Sequence, residues 1–329
     1  MLRFIAVEDL DGVKVTAQYN FDPRTLSNDS TAFTASADGT PTKNTLTGLA
    51  RDEIFVGISG GFGNVRLGSP NSIGLGSHGT SSPLGTGIGS AYTGAGTPGT
   101  LTNSYVQTRY NRSVRYDSPA IAGLTASVLF APGGDNADIG TTALVIPNAR
   151  KATEFGLSYA NGPLNVAYAY VAQAAQTYKT GWYAGTYANI ASPADNPAKT
   201  SVSMINANYK LGDTTLYAGW NKGNRLAVFS STDGSAVDTK GFRVAAKQTM
   251  GAIDLIAQYT EQTAASGASG ADVKAKVTGL RADYNLSKTA AAYVGYEKWD
   301  TGMDYTAGAT TSLVTGTRTI TSVGLRKSF

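Results

Sequence analysis

The stretch Val13-Lys-Val-Thr-Ala-Gln-Tyr-Asn-Phe21 places Val13, Val15, Ala17, Tyr19 and Phe21 on one face of an extended chain. Lys14, Thr16, Gln18 and Asn20 fall on the other. The same period of two returns along the whole chain. Leu124, Ala126, Val128 and Phe130 alternate with Thr125, Ser127 and Leu129, and Leu164, Val166, Tyr168 and Tyr170 alternate with Asn165, Ala167 and Ala169. Ile253, Leu255, Ala257 and Tyr259 oppose Asp254, Ile256, Gln258 and Thr260. In the final stretch, Thr321-Ser-Val-Gly-Leu-Arg-Lys-Ser-Phe329, Val323, Leu325 and Phe329 share a face with Lys327. One face is apolar and often finishes in Tyr or Phe. The other is mostly small or polar.

A soluble sandwich would turn the apolar face toward a packed core rich in Leu, Ile, Val and Phe. This chain is 41% hydrophobic, but much of that is Ala, and it carries 39 Gly and 18 Tyr against 10 Phe and 4 Met. The apolar side chains suffice for a thin coat. A barrel with lipid outside and water inside needs only such a band, with aromatics at its rims. The expected fold is all-β: a transmembrane antiparallel β-barrel. No run of about 18 apolar residues exists, so a transmembrane helix is excluded. Uniform strand spacing over the 329 residues argues for a single barrel domain, 1–329.

Two kinds of connection alternate. Asp9-Leu-Asp-Gly12, Gly60-Gly-Phe-Gly63, Ala120-Ile-Ala-Gly123, Asn161-Gly-Pro163, Lys210-Leu-Gly-Asp213, Met250-Gly251 and Asn285-Leu-Ser287 read as short turns. Between them lie long polar stretches: 22–50, 69–105, 132–150, 174–199, 223–239, 261–271 and 300–316. Short on one side and long on the other is the pattern of periplasmic turns and extracellular loops. The count is about fifteen strands, whereas bacterial barrels have an even number. Either one ascending strand is missing ahead of Met1, or a segment has been merged or split. The opening Met1-Leu-Arg-Phe-Ile lacks a basic region followed by an apolar core, so the chain is expected to be mature or truncated upstream.

Alternation also sorts the charges, because Arg or Lys on the lipid face at mid-membrane costs about 2 to 4 kcal/mol. Arg66, between Val65 and Leu67, points inward, and Arg109 and Arg115 share parity with Asn111 and Ser113. Arg243 and Lys247 oppose Phe242, Val244 and Ala246, and Arg326 opposes Leu325. Arg112 breaks the rule; a subunit contact is the one account its position suggests. Glu154, Asp254 and Asp283 also face inward by parity, so each arginine is either a free lumen charge or half of an ion pair. The stretch from Pro70 to Thr108 has no Asp, Glu, Lys or Arg and a single histidine, His78.

Four ordered pieces resemble general bacterial porins of the beta-proteobacterial and neisserial type. They are Glu8-Asp-Leu-Asp-Gly-Val-Lys-Val15, Val56-Gly-Ile-Ser-Gly-Gly-Phe-Gly-Asn-Val-Arg-Leu-Gly68, Asn111-Arg-Ser-Val-Arg-Tyr-Asp-Ser-Pro119, and Leu286-Ser-Lys288 with Gly324-Leu-Arg-Lys-Ser-Phe329. The resemblance implies a sixteen-stranded barrel, a homotrimer in the outer membrane of a Gram-negative bacterium, in contact with lipid and lipopolysaccharide. It also implies an ascending strand ahead of the segment that begins here. Residues 69–105 become the third long loop, folded into the lumen as the constriction. Arg109 matches a lining residue of the narrow zone. The chain departs at its start, where the family has an Arg and a Gly two residues apart.

The expected function is therefore passive diffusion of small hydrophilic solutes and ions. With no acid on the constriction loop, a ring of positive charge should favour anions. Arg66, Arg109 and Arg115 lead that set, with Arg3, Lys14 and Arg243 completing it. An enzyme lacks a base here beyond His78, and no paired acidic motif stands out. With no cysteine and one histidine, neither a metal site nor a cofactor is expected. The scattered basic residues do not suit nucleic acid. Two alternatives stay open: a structural or adhesive barrel, and a solute-specific channel. The aromatic group Trp182, Tyr183 and Tyr187 sits in an outer loop and does not favour the second.

Overall fold

Alternating side chains make strands, and two-residue turns make consecutive strands antiparallel neighbours. The computed structural model describes residues 2–22, 33–35, 41–43, 50–85, 87, 89–90, 108–132, 151–174, 199–226, 236–265, 272–307 and 310–327. The strands, in chain order, are β1 (Leu2–Leu10), β2 (Val13–Asp22), β3 (Phe33–Ala35), β4 (Pro41–Lys43), β5 (Ala50–Gly60) and β6 (Gly63–Ser69). After helix α1 (Ile73–Ser81) come β7 (Ser113–Asp117), β8 (Leu124–Ala131), β9 (Ala152–Asn161), β10 (Leu164–Gln173), β11 (Thr200–Leu211) and β12 (Thr214–Leu226). β13 (Ala236–Met250), β14 (Ile253–Ala265), β15 (Asp272–Ser287), β16 (Ala290–Ala307) and β17 (Thr310–Lys327) complete the chain. Apart from the separate ribbon β3–β4, they form one 15-stranded sheet in sequence order. The expected strand count therefore stands.

Fifteen antiparallel strands in sequence order leave β1 and β17 running in the same direction as the two edges of the sheet. The sheet curls. α1 packs against strands from β8 to β13, and Gly89, eight residues past its end, reaches β16. A segment this short can touch so many strands only from inside a tube.

Short turns fall where the sequence places them, with one difference. Asn285-Leu-Ser287 stays in β15, across a register shift, and the turn comes at Lys288 and Thr289. Three stretches read as long loops prove shorter. β12 and β13 pair out to Leu226 and Ala236, β14 and β15 to Ala265 and Asp272, and β16 and β17 to Ala307 and Thr310. Thr and Tyr, abundant in the last pair, suit a ladder that continues past the apolar band. Residues 133–150 and 175–198, with the group Trp182, Tyr183 and Tyr187, lie outside the described residues, as does Phe329.

The outer face carries Val56, Leu67, Val128, Phe130, Ile205, Leu216, Trp220, Val244, Leu280 and Val294, all exposed. A soluble protein does not show so continuous an apolar surface; lipid covers it. The inner face is largely polar, with apolar side chains at Ile5 and Val7 on β1, at Val277 and Trp299 on β15 and β16, and beneath α1. There Ile73 and Tyr110 pack with Leu129, Val171, Val202 and Met204, all buried, on the inner wall of β8 to β11. Turn chemistry is strict at Gly63, whose φ of 111° and contact with the Asp117 carbonyl leave no room for a Cβ.

Ile205→Arg, at mid-strand on the outer face, should destabilise the protein by about 2 to 4 kcal/mol, whereas Thr16→Arg on the lumen face should cost under about 1 kcal/mol. Urea titration of folding into lipid vesicles measures both.

Candidate functional site

The long segment after β6 enters the tube at once. Ser72 accepts the Leu75 N–H at 3.0 Å and so caps α1, and its own N–H donates to the Thr108 carbonyl at 2.9 Å, closing the base of the loop. Two free N–H groups of the first turn then meet a carboxylate. Glu154 on β9, fully buried, accepts from Ile73 N at 2.5 Å and Gly74 N at 3.2 Å. Hydrogen bonds from a helix N-terminus offset part of the cost of burying the carboxyl group.

Farther along, the wall continues to hold the loop. Asn206 on β11 donates to Ser77 Oγ at 2.9 Å and accepts from Ser81 Oγ at 2.7 Å, and Asn208 donates to the Thr80 carbonyl at 2.8 Å. Gln258 on β14 donates to the Ser90 carbonyl at 2.8 Å. Glu297 on β16 accepts the Gly89 N–H at 2.6 Å and the indole N–H of Trp299 at 2.5 Å. Glu154 and Glu297 are thus spent on the loop and do not line open water.

The expected arginines divide into two places. Arg66 and Arg115 are register partners on β6 and β7. Arg66 donates to Glu53 at 3.3 Å and also to Asp117. Arg115 donates to Asp117 at 2.8 Å and to the Asn71 carbonyl at 2.7 Å. Ser127 and Gln18 complete the network, donating to Asp117 at 2.6 Å and Glu53 at 3.1 Å. Arg109 bridges to Asn71 and pairs with Asp52. Three arginines thus meet three carboxylates: Asp52, Glu53 and Asp117. Those acids sit on the wall, so a loop without acids does not leave the arginines uncompensated. Parity alone aligns Glu53 with Phe55 and Asp117 with Arg115, but their meeting depends on register across three strands.

Arg243 stands apart. Buried on β13, it reaches His78 Nδ1 at 3.0 Å, Ser81 Oγ at 3.4 Å, the Ser90 carbonyl at 3.4 Å and Thr260 Oγ1 at 3.3 Å. A guanidinium only donates, so the imidazole must accept at Nδ1 and be neutral. Burial first, and the charge of Arg243 second, hold His78 well below the ordinary histidine range. Among the described residues Arg243 has no carboxylate in ion-pair reach. Arg3 faces the lumen on β1, opposite Asn20 and exposed. Lys14 is also exposed, 4.0 Å from Asp9 beside a short turn and away from the arginine group. Lys247 and Arg326 pair with Asp254 at 2.9 Å and Asp283 at 3.6 Å. Arg112 is not on a strand face: it occupies a turn ahead of β7 with φ of 58°, so the parity rule does not apply to it.

The sequence model of the Gram-negative porin family matches residues 2–313. Major outer membrane protein P.IB of Neisseria gonorrhoeae is 34% identical over 136 residues, 40% of this chain and 33% of that protein. The P.IB protein of Neisseria lactamica is 37% identical over 90 residues, 27% of this chain and 25% of that one. These alignments span a third or less of the relatives' length. Among solved structures, the anion-selective porin from Comamonas acidovorans superposes with a TM-score of 0.67 at 19% identity, covering 98% of this chain and 87% of that one. The trimer form of OmpT from Vibrio cholerae gives 0.61 at 15% identity, covering 99% and 95%.

His78 binds its proton less readily folded than unfolded. Stability should therefore fall as pH drops below the unfolded value of 6.5, by at most about 1.4 kcal/mol per pH unit, and be insensitive to His78 above it. His78→Gln should remove that acid-side slope in thermal unfolding followed from pH 8 to 4.

Proposed function

Because the chain belongs to the Gram-negative porin family, we propose that it is a general diffusion porin of the outer membrane, passing small hydrophilic solutes and ions down their gradients. The observation that carries this reading is a loop fixed across a polar lumen by buried hydrogen bonds from opposite walls. Such a loop narrows a water-filled passage without plugging it through apolar packing. The unit of function is the single barrel, with residues 69–105 as the constriction, and the activity is that of a channel and not of an enzyme. A homotrimer embedded in lipid and lipopolysaccharide is the assembly we propose; the OmpT relative in trimer form supports it.

Anion preference follows from where compensation fails. The group Arg66, Arg109 and Arg115 is balanced by its three carboxylates and contributes shape and local field more than net charge. Arg243, among the described residues without a carboxylate partner, and exposed Arg3 leave positive potential on the lumen. Low-dielectric walls carry that potential into the passage. The selectivity named for the Comamonas relative agrees in sign.

The reversal potential of the purified protein in a planar bilayer under a salt gradient tests both parts. We expect steady conductance with modest anion preference, increased by Asp117→Asn, which removes the carboxylate that Arg66 and Arg115 share, and reduced by Arg109→Glu. Cation preference in the wild type would overturn the charge argument, and absence of conductance from folded protein would overturn the channel.

A further inference from the structure

Among the places where the loop rests against the wall, three offer it a glycine. A Cβ on inward-facing Gly156 of β9 would strike the Ile73 side chain. On Gly219 of β12 it would lie 2.7 Å from Ser81 Oγ. On Gly279 of β15 it would come within 2.6 Å of Gly89 Cα. The loop residues involved, Ile73, Ser81 and Gly89, are eight apart in sequence.

Each glycine has a polar side chain beside it that grips the same part of the loop. Glu154, two residues from Gly156 on the same face, holds the Ile73 N–H. Asn206, the register partner of Gly219, binds Ser81 Oγ at 2.7 Å. Glu297, the register partner of Gly279, holds the Gly89 N–H at 2.6 Å. A hollow and a grip therefore recur together on β9, on β11 and β12, and on β15 and β16. Hydrogen-bond length is short-ranged, so each grip works only if the backbone can sink to the depth the glycine permits. A methyl group at Gly156 or Gly279 would lift the loop and stretch the adjacent bond, and one at Gly219 would press on both Ser81 and the Asn206 amide oxygen that binds it.

We infer that Gly156, Gly219 and Gly279 are positioning residues that set the height of the loop above the wall, and with it the width of the passage. The inference rests on the channel reading above and adds which residues fix the size limit. The loop rises away from the wall and toward the open lumen, so the substitutions narrow the passage.

Single-channel conductance and uptake of graded sugars into proteoliposomes measure it, in protein whose heat-modifiable gel mobility shows a folded barrel. Gly156→Ala and Gly279→Ala should lower conductance about twofold or more and shift the sugar cut-off downward. Gly61→Ala, whose Cβ meets open space at a turn, should change neither. Ile73→Ala in the Gly156→Ala background removes the struck methyl and should restore conductance, a recovery that general loss of stability would not give. Should Gly279→Ala fail to fold, Gly156→Ala and its rescue carry the test. Wild-type conductance in folded variants, or failure of the rescue, would overturn the positioning role of the glycines.

If the wild type itself does not conduct, the channel reading fails and the positioning role of the glycines is still testable. The chain has no cysteine. Spin labels at Gly76→Cys on α1 and Thr16→Cys on β2 should then draw closer when Gly156→Ala is added, and an unchanged separation would overturn it.

Discussion

In hydrocarbon no water can satisfy a backbone N–H or C=O, so a strand that crosses a membrane must find both partners in its neighbours. That requirement fixes the antiparallel sheet, and the sheet's period of two fixes what each residue may be. Half the positions face lipid and must be apolar. The other half are released from that demand and can hold charge. Val65, Arg66 and Leu67 show the division within three residues. The structure's functional part is built entirely from the released half.

The released half behaves as a solvated interior, with its own pairing rules. Buried charges are kept only where partners exist, and the wall supplies them in two ways. Arg66, Arg109 and Arg115 are held by Asp52, Glu53 and Asp117, a cluster with no net charge. Glu154 and Glu297 are held by backbone N–H groups of the loop, so their cost of burial is offset by ordering that loop. Arg243 is the exception, facing neutral His78 and hydroxyl and carbonyl groups. Among the described residues its charge is compensated by dipoles alone, and dipoles leave the net field intact.

Most of the sheet was legible because alternation is local. Strand existence, the short turns and the inward side of Arg66, Arg115 and Arg243 all follow from parity within one strand. The loop's course did not. Its placement in the lumen came from family resemblance, and nothing in Ile73-Gly-Leu-Gly-Ser-His-Gly-Thr-Ser81 announces a helix. Three glycines and three serines or threonines form poor helix sequence, and α1 exists because Ser72, Glu154 and Asn206 receive it. The arginine partners were hidden for the same reason: Arg66 meets Asp117 across 51 residues, and Arg243 meets His78 across 165. Loop lengths erred where polar stretches, Thr-rich in the last pair, continued the ladder beyond the apolar band, since composition marks the edge of lipid and not the end of pairing.

The same contrast explains why this loop needs a glycine-lined wall. A loop crossing a lumen exposes its backbone to water on one side, and among the described residues its main apolar hold is at its start, where Ile73 meets Leu129, Val171 and Met204. Beyond α1, at Gly89, the grip is polar. A polar grip is directional and fails within a fraction of an ångström, whereas apolar packing tolerates small shifts when a side chain can adjust. Accuracy must then come from the wall's contour. Glycine gives the deepest contour a strand can offer, at a cost in strand stability of roughly 0.5 to 1 kcal/mol relative to Ala. That cost is accepted at inward positions where the loop rests, and the loop's hydrogen bonds offset it.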